Sequence, residues 1–242
     1  MTLRLLLAQA RKEQDPMKEH EVLCFAQQSG LAREQITPFD LLENIPTLAQ
    51  IKAYDALLVG GSGDFYVSKR NLPTHDAFLE SLREIVDSGH PTFASCFGFQ
   101  CLVEALGGDI IHDPTNTEVG TYEITLTKES EGDPLFGKLP HTFMAQLGHK
   151  DRAQANPPEI PNLARSELCP FQALRIPNKP IWATQFHPEL NEATNRERFS
   201  RYLKGYTQTS VAEGRKPPGQ EFHPSPEASS LLSSFVDVVF GS

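Results

Sequence analysis

The chain has 242 residues, 39% of them hydrophobic, and carries 22 Lys and Arg against 31 Asp and Glu for a formal net charge of −9. That length and apolar content suit one large α/β domain or two small ones rather than a disordered chain. The negative balance argues against nucleic acid or an anionic membrane as a partner.

Leu3 to Ala8 is a nearly continuous apolar run, the pattern of a strand covered on both faces. The first residues read directly into it, too short for a signal-peptide core. From about Asp15 to Ser29 the apolar positions Val22, Leu23, Phe25 and Ala26 recur at helical spacing, and Gly30 can end that helix. Ile36–Phe39 predicts a short second strand, and Asp55–Val59 a third, halted by Gly60-Gly61. Thr74 to Ser88 suits a helix with Thr74 as N-cap, an apolar stripe of Phe78, Leu79, Leu82 and Ile85, and Gly89 as its stop. Thr92–Ser95 is a fourth strand, followed by a helix over Phe97–Leu106 that Gly107-Gly108 closes. The βαβαβαβα order predicts a parallel sheet with helices on both faces.

After Gly108 the pattern changes to short strand-like pieces separated by Pro, Gly and Asn. They are Asp109–His112, Tyr122–Thr127, Thr142–Leu147, Leu163–Glu167, Gln172–Ile176 and Ile181–Gln185, read as antiparallel additions to one edge of the sheet. A helix from about Ala193 to Tyr206 closes the domain. Glu213–Pro226 reads as a linker rich in Pro, Gly and charge. Ser225 can then cap a terminal helix with Pro226 in its first turn. Its apolar positions Leu231, Leu232, Phe235, Val236 and Val239 either pack on the domain, the favoured reading, or serve as a handle for a partner.

No apolar run reaches membrane-spanning length. The four cysteines (Cys24, Cys96, Cys101, Cys169) lack zinc-type or C-x-x-C spacing, which predicts reduced thiols in a cytoplasmic protein. Gly60-Gly61-Ser62-Gly63 lacks the Lys-Ser/Thr of a phosphate loop and the third glycine of a dinucleotide fingerprint, so neither a cofactor nor a metal is expected.

The chemical information is concentrated in two places. Cys96 ends an apolar strand and opens a helix, which would set its sulfur at a tight turn where the helix N-terminus favours thiolate. The N–H of Phe97 would face the same way and could bond an oxyanion, and Gly98 permits a close backbone approach. Taken alone, Cys96 reads rather as a small buried apolar residue. The second place is Gln185-Phe186-His187-Pro188-Glu189 at the end of a strand. In extended backbone the side chains of His187 and Glu189 leave on one side, so the carboxylate could hold one imidazole nitrogen and free the other as a base. Thiol, imidazole and carboxylate together can make a nucleophile, its base and an orienting group. The glycines at 60–63 would sit at the same carboxyl edge of a parallel sheet.

Four segments, Gly60-Gly61-Ser62-Gly63, Cys96-Phe97-Gly98-Phe99-Gln100, Gly148-His149-Lys150-Asp151 and Gln185-Phe186-His187-Pro188-Glu189, resemble in order and spacing the class I (triad) glutamine amidotransferases. Within that family they look most like the glutaminase domain of guanosine monophosphate synthase and its free-standing relatives. The resemblance implies a flavodoxin-like α/β fold, a mixed and mostly parallel sheet with helices on both faces and antiparallel edge additions. It places an amidotransferase domain over 1–207, with 208–242 as linker and amphipathic helix.

It also implies that Cys96 attacks the side-chain amide of glutamine, with His187 moving the proton and Glu189 orienting His187. Gly61 and Phe97 would supply the oxyanion N–H groups. Gly60, Gln100, Gly148, His149 and Asp151 would hold the substrate. The family loop is usually Ser-His-Gly-Asp-like, and here Gly148 and Lys150 replace the serine and the glycine. The Ser-Gly-Gly-x-x-Ser pyrophosphate loop of the synthase domain is absent from the chain. Ammonia would therefore pass to a separate synthetase subunit, or the same triad would act alone as a γ-glutamyl peptidase. A non-catalytic binding or regulatory module is the third alternative.

Overall fold

The computed structural model describes residues 2–212 and 221–241. Five strands make the parallel half of a mixed sheet: β1 (Leu5–Ala10), β2 (Ile36–Asp40), β3 (Ala56–Ser62), β4 (Thr92–Ser95) and β11 (Ile181–Thr184). The sheet continues antiparallel from β11 through β10 (Ala173–Arg175), β9 (Asn162–Arg165), β6 (Glu118–Leu126) and β7 (Thr142–His149). Its order is β2-β1-β3-β4-β11-β10-β9-β6-β7. Helices α1 (Met17–Ser29) and α6 (Pro226–Phe240) cover one face, and α3 (His75–Ser88) and α4 (Phe97–Ala105) the other. The short α2 (Leu48–Ile51) precedes β3, and α5 (Glu192–Ala212) packs over β6 and β7. This is the mixed α/β sheet expected from the sequence, with a parallel core, helices on both faces and antiparallel additions.

Three details depart from the sequence reading. Ile181–Thr184 is not an edge addition: it lies inside the sheet, parallel to β4. All four of its residues are buried, the continuous apolar signature of a parallel strand. Asp109–His112 (β5) leaves the main sheet and pairs with β8 (Asp151–Ala155) in a separate ribbon. That partner strand, DRAQA, has little apolar alternation and is not predicted.

The position of β11 builds the site. Ser95 stands opposite Thr184, so both strands end at the same level. Cys96 is then one residue past one strand and His187 three past its neighbour. The Cys96 N–H donates to Thr184 O at 2.8 Å, tying the turn to the strand that delivers the base.

The turn itself needs room. A Cβ on Gly98 would lie 2.7 Å from Val59 Cγ1 and 2.9 Å from the Val59 carbonyl oxygen. Gly98→Ala should therefore push α4 off β3 and cost ~1–3 kcal/mol of stability. Denaturant unfolding checks this; an unchanged midpoint would contradict the packing.

The terminal helix completes the core. Ala228, Leu231, Leu232, Phe235 and Val236 are buried in the cluster beneath α1. Phe235 meets Phe93 of β4 edge-on at 5.7 Å and Trp182 of β11 at 5.9 Å, under the two strands that carry the site. Of the expected linker, residues 213–220 lie outside the described residues. Residues 221–225 run along β6: Thr121 N–H donates to Glu221 O and His223 N–H to Thr121 Oγ1, each at 2.8 Å.

Candidate active site

Cys96 sits at φ 50°, ψ −99°, a conformation a side chain other than glycine's rarely adopts. Strain of this kind costs ~1–3 kcal/mol and persists only where the surroundings enforce it. Here the strand bond to Thr184 and the start of α4 do so. The thiol is buried, at the N-terminal end of the helix, with Gln185 Nε2 at 3.7 Å from its sulfur. Cys24, Cys101 and Cys169 are also buried, but burial pushes all three of those thiols up, Cys24 and Cys169 to about 12.

His187 and Glu189 do meet, by a different route from extended backbone. Leu190 N–H donates to His187 O at 3.2 Å, closing a turn that brings Glu189 Oε1 within 2.7 Å of His187 Nδ1. The His187 N–H is fixed by Gln146 O at 2.8 Å. Both side chains are buried. Burial alone would lower the His187 pKa. The charges of Glu189 and Cys96, with a hydrogen bond to each, outweigh it and lift His187 to about 9. Burial would likewise raise Glu189, but the charge and hydrogen bond of His187, then the charge of Arg198, bring it down to about 2. The structure thus bonds His187 to Glu189 and places the imidazole close enough to Cys96 to feel its charge.

Folding stability follows from the signs. The His187 contribution is complete below its ordinary 6.5 and is lost as pH rises through about 9. The Glu189 contribution is complete above 4.5 and is lost as pH falls through about 2. Both describe one coupled pair, which therefore stabilises the fold most between those ordinary values.

A cavity opens on the sulfur, walled by Ser62, Tyr66, Phe97, Gln100, Gly148 and His149, with Lys150 and Asp151 at its side. The expected substrate residues are placed unevenly around it. Gln100 is buried and donates from Nε2 to Asp151 O at 2.7 Å and Gln185 Oε1 at 3.1 Å, bracing the wall. His149 is held between Asp151 O and Glu118 Oε2, each at 3.0 Å. The carboxylate of Asp151 is occupied: His112 Nδ1 lies 2.8 Å from Oδ1 and Ser68 N–H donates to Oδ2 at 2.9 Å. Asp151 thus braces the pocket rather than offering a free charge to it.

Of the three glycines in the 60–63 segment, Gly63 lines the cavity, and Gly60 and Gly61 face elsewhere. A Cβ on Gly60 would lie 2.6 Å from the carboxyl carbon of Glu21, so this glycine makes room for a buried carboxylate and does not line the sulfur cavity. A Cβ on Gly61 would lie 2.9 Å from His187 Cε1. The N–H of Gly61, expected at the oxyanion, donates to Glu21 Oε1 at 3.1 Å. The Phe97 N–H, first in α4, has no acceptor within its helix.

Sequence reasoning misses the ionic cluster behind the triad. Glu21 accepts from Arg11 Nε at 3.1 Å and Nη2 at 2.8 Å, and from Gln9 Nε2 at 2.9 Å. Arg198 of α5 donates from Nη1 to Glu189 Oε1 at 3.0 Å and lies 3.4 Å from His187 Nδ1. A signal existed for Glu21: it lies four residues from both Met17 and Phe25, on the buried stripe of α1, where a charge demands a partner. Among the described residues no cluster of three His, Cys, Asp or Glu side chains could hold a metal, and no helix is long and apolar enough to cross a membrane.

Comparison with known proteins agrees with this geometry. The chain is 29% identical over 157 residues to the glutamine-hydrolysing GMP synthase of Caldanaerobacter subterraneus, covering 65% of this chain and 28% of that protein. It is 26% identical over 150 residues to one subunit of the glutamine-hydrolysing GMP synthase of Archaeoglobus fulgidus, covering 62% and 74%. The chain thus spans about a quarter of the length of the first of these relatives. In fold it matches a glutamine amidotransferase of Thermotoga maritima (TM-score 0.71, 16% identity, all of both chains) and one of Methylobacillus flagellatus (TM-score 0.74, 17% identity, 98% and 95%). The sequence pattern described as "Glutamine amidotransferase class-I" matches residues 28–202, and the chain belongs to that family of enzymes.

Proposed function

We propose that the protein hydrolyses the side-chain amide of glutamine through a γ-glutamyl thioester on Cys96. The observation that supports this reading is the buried His187–Glu189 pair, bonded at 2.7 Å, beside a cavity that Cys96 lines. The thiolate attacks the amide carbon and a C–S bond forms. The oxyanion is held by the Phe97 N–H at the start of α4. His187 gives its proton to the nitrogen, the C–N bond breaks and ammonia leaves. Water, losing a proton to His187, then cleaves the thioester to glutamate. The Gly61 N–H joins the oxyanion site only if it exchanges its bond to Glu21. The ammonia passes to a separate synthetase polypeptide. That reading is supported by the Archaeoglobus relative, whose name makes it one part of a divided synthase.

Two outcomes test the roles. Glu189→Gln keeps the shape but removes the charge that holds His187, so ammonia release should drop about 10²-fold, clearly less than in His187→Ala. Equal or greater loss in Glu189→Gln would contradict an orienting role. As pH rises through about 9, His187 loses the proton the leaving nitrogen needs, so kcat/KM for glutamine should fall there. A profile flat to well above that value would place the acid elsewhere.

A further inference from the structure

Glu189 serves two cations through one oxygen. Its Oε1 lies 2.7 Å from His187 Nδ1 and accepts from Arg198 Nη1 at 3.0 Å, while Oε2 is buried with no hydrogen-bond partner. Arg198 comes from α5, and its Nη1 stands 3.4 Å from His187 Nδ1. All three side chains are buried, where charges act on one another with little screening. The other carboxylate near Arg198 is Glu21, whose Oε1 stands 4.0 Å from Nη2 and is held by Arg11 Nη2 at 2.8 Å. The remaining groups around the pair are Cys96 at the start of α4, Arg11 after β1 and Tyr202 of α5, with His20, Glu21 and Cys24 of α1 within reach of the Arg198 charge. Burial pushes His20 down and Cys24 and Tyr202 up, so all three are uncharged near neutral pH. Arg11 and Glu21 neutralise each other. Arg198 is therefore the cation that acts on the bond between His187 and Glu189.

We propose that Arg198 is a positioning residue for the proton transfers of His187. By sharing Glu189 Oε1 with the imidazole, it keeps the carboxylate ionised whether His187 is charged or neutral, and it loosens the carboxylate's hold on the His187 proton. The inference rests on the thioester reading above and adds a residue to it. Two steps of that reaction need such a group. The imidazolium must give a proton to the leaving nitrogen, and the neutral ring must later take one from water. A buried carboxylate bonded to the imidazole alone would favour the imidazolium throughout, which makes a weaker acid in the first step and a scarcer base in the second. A cation 3.4 Å from Nδ1 opposes that preference. When the ring is neutral, Arg198 still pairs with Glu189, so no lone buried charge is left behind. Burial pushes Glu189 towards its protonated form, and the charge of Arg198 joins His187 in opposing this.

The test follows the ring resonances of His187 against pH by nuclear magnetic resonance, in the protein without substrate. In the wild type the midpoint should lie at about 9. Arg198→Gln removes the charge and keeps a donor. It should raise the midpoint by about one unit or more, with kcat for glutamine down about tenfold near neutral pH and KM little changed. Arg198→Lys keeps the charge and should hold the midpoint near that of the wild type. A purely structural Arg198 would lower stability in both variants and move neither midpoint. The wild type gives a second reading that needs no variant. The guanidinium resonances of Arg198 should shift with the same midpoint as the ring, because the bond to Glu189 tightens as His187 loses its proton. An unmoved midpoint in Arg198→Gln, an equal shift in Arg198→Lys, or a guanidinium signal blind to the His187 titration would each overturn the proposal. None of these touches the thioester reading, which falls separately if no adduct forms on Cys96 during turnover.

Discussion

Cys96→Ala should lose on the order of 10⁴-fold or more of glutamine turnover while folding normally. The side chain is small, and in the proposed reaction its thiol forms the acyl bond. A second substitution separates chemistry from strain. Cys96→Gly should be equally inactive, yet it relieves a backbone at φ 50° that alanine cannot relax. It should therefore be more stable than Cys96→Ala by as much as ~1–3 kcal/mol, read from denaturant midpoints. Substantial turnover in either variant would remove Cys96 from the reaction. A glycine variant less stable than the alanine one would mean that the turn is not under tension.

The second large effect is on stability and concerns the terminal helix. Phe235→Ala opens a hole beneath Phe93 and Trp182 and should cost ~3–5 kcal/mol, a large share of the ~5–15 kcal/mol by which such domains are folded. Removing residues 221–242 should be worse, because it uncovers the apolar face of the sheet. The truncated protein should aggregate rather than persist as a smaller active domain. The site would suffer with it. Gln146 donates from Nε2 to His223 O at 2.8 Å and Ser225 Oγ at 2.9 Å, and its own carbonyl holds the His187 N–H. A soluble truncated protein with full activity would show that the helix is only an appendage.

The proposed catalytic residues stood out in the sequence because strand ends that composition marks precede them: Thr92–Ser95 before Cys96, Ile181–Thr184 before His187. Their geometry was legible only in part. Alternation places His187 and Glu189 on one side of an extended chain, whereas a turn closed by Leu190 brings them together. The terminal helix was legible as amphipathic from Leu231, Leu232, Phe235 and Val236, but which surface it covers depends on contacts with Phe93 and Trp182, far away in the chain. The ionic cluster was least visible. Arg11 lies just after β1 and Arg198 on α5, and each looks like an ordinary surface charge until its partner carboxylate is in place; only Glu21, on the buried stripe of α1, carried a signal. The glycines show the same limit. Gly60 and Gly61 read as a ligand-facing turn, yet their missing side chains make way for Glu21 and His187.

The most direct test of the thioester is an intact mass spectrum of the protein quenched in acid during turnover of glutamine, followed by mapping of the modified peptide. A mass increase of one γ-glutamyl group on Cys96, absent from Cys24, Cys101 and Cys169 and lost in Cys96→Ala, is the predicted result. Steady release of ammonia with no adduct on Cys96, or with the adduct on another residue, would contradict it.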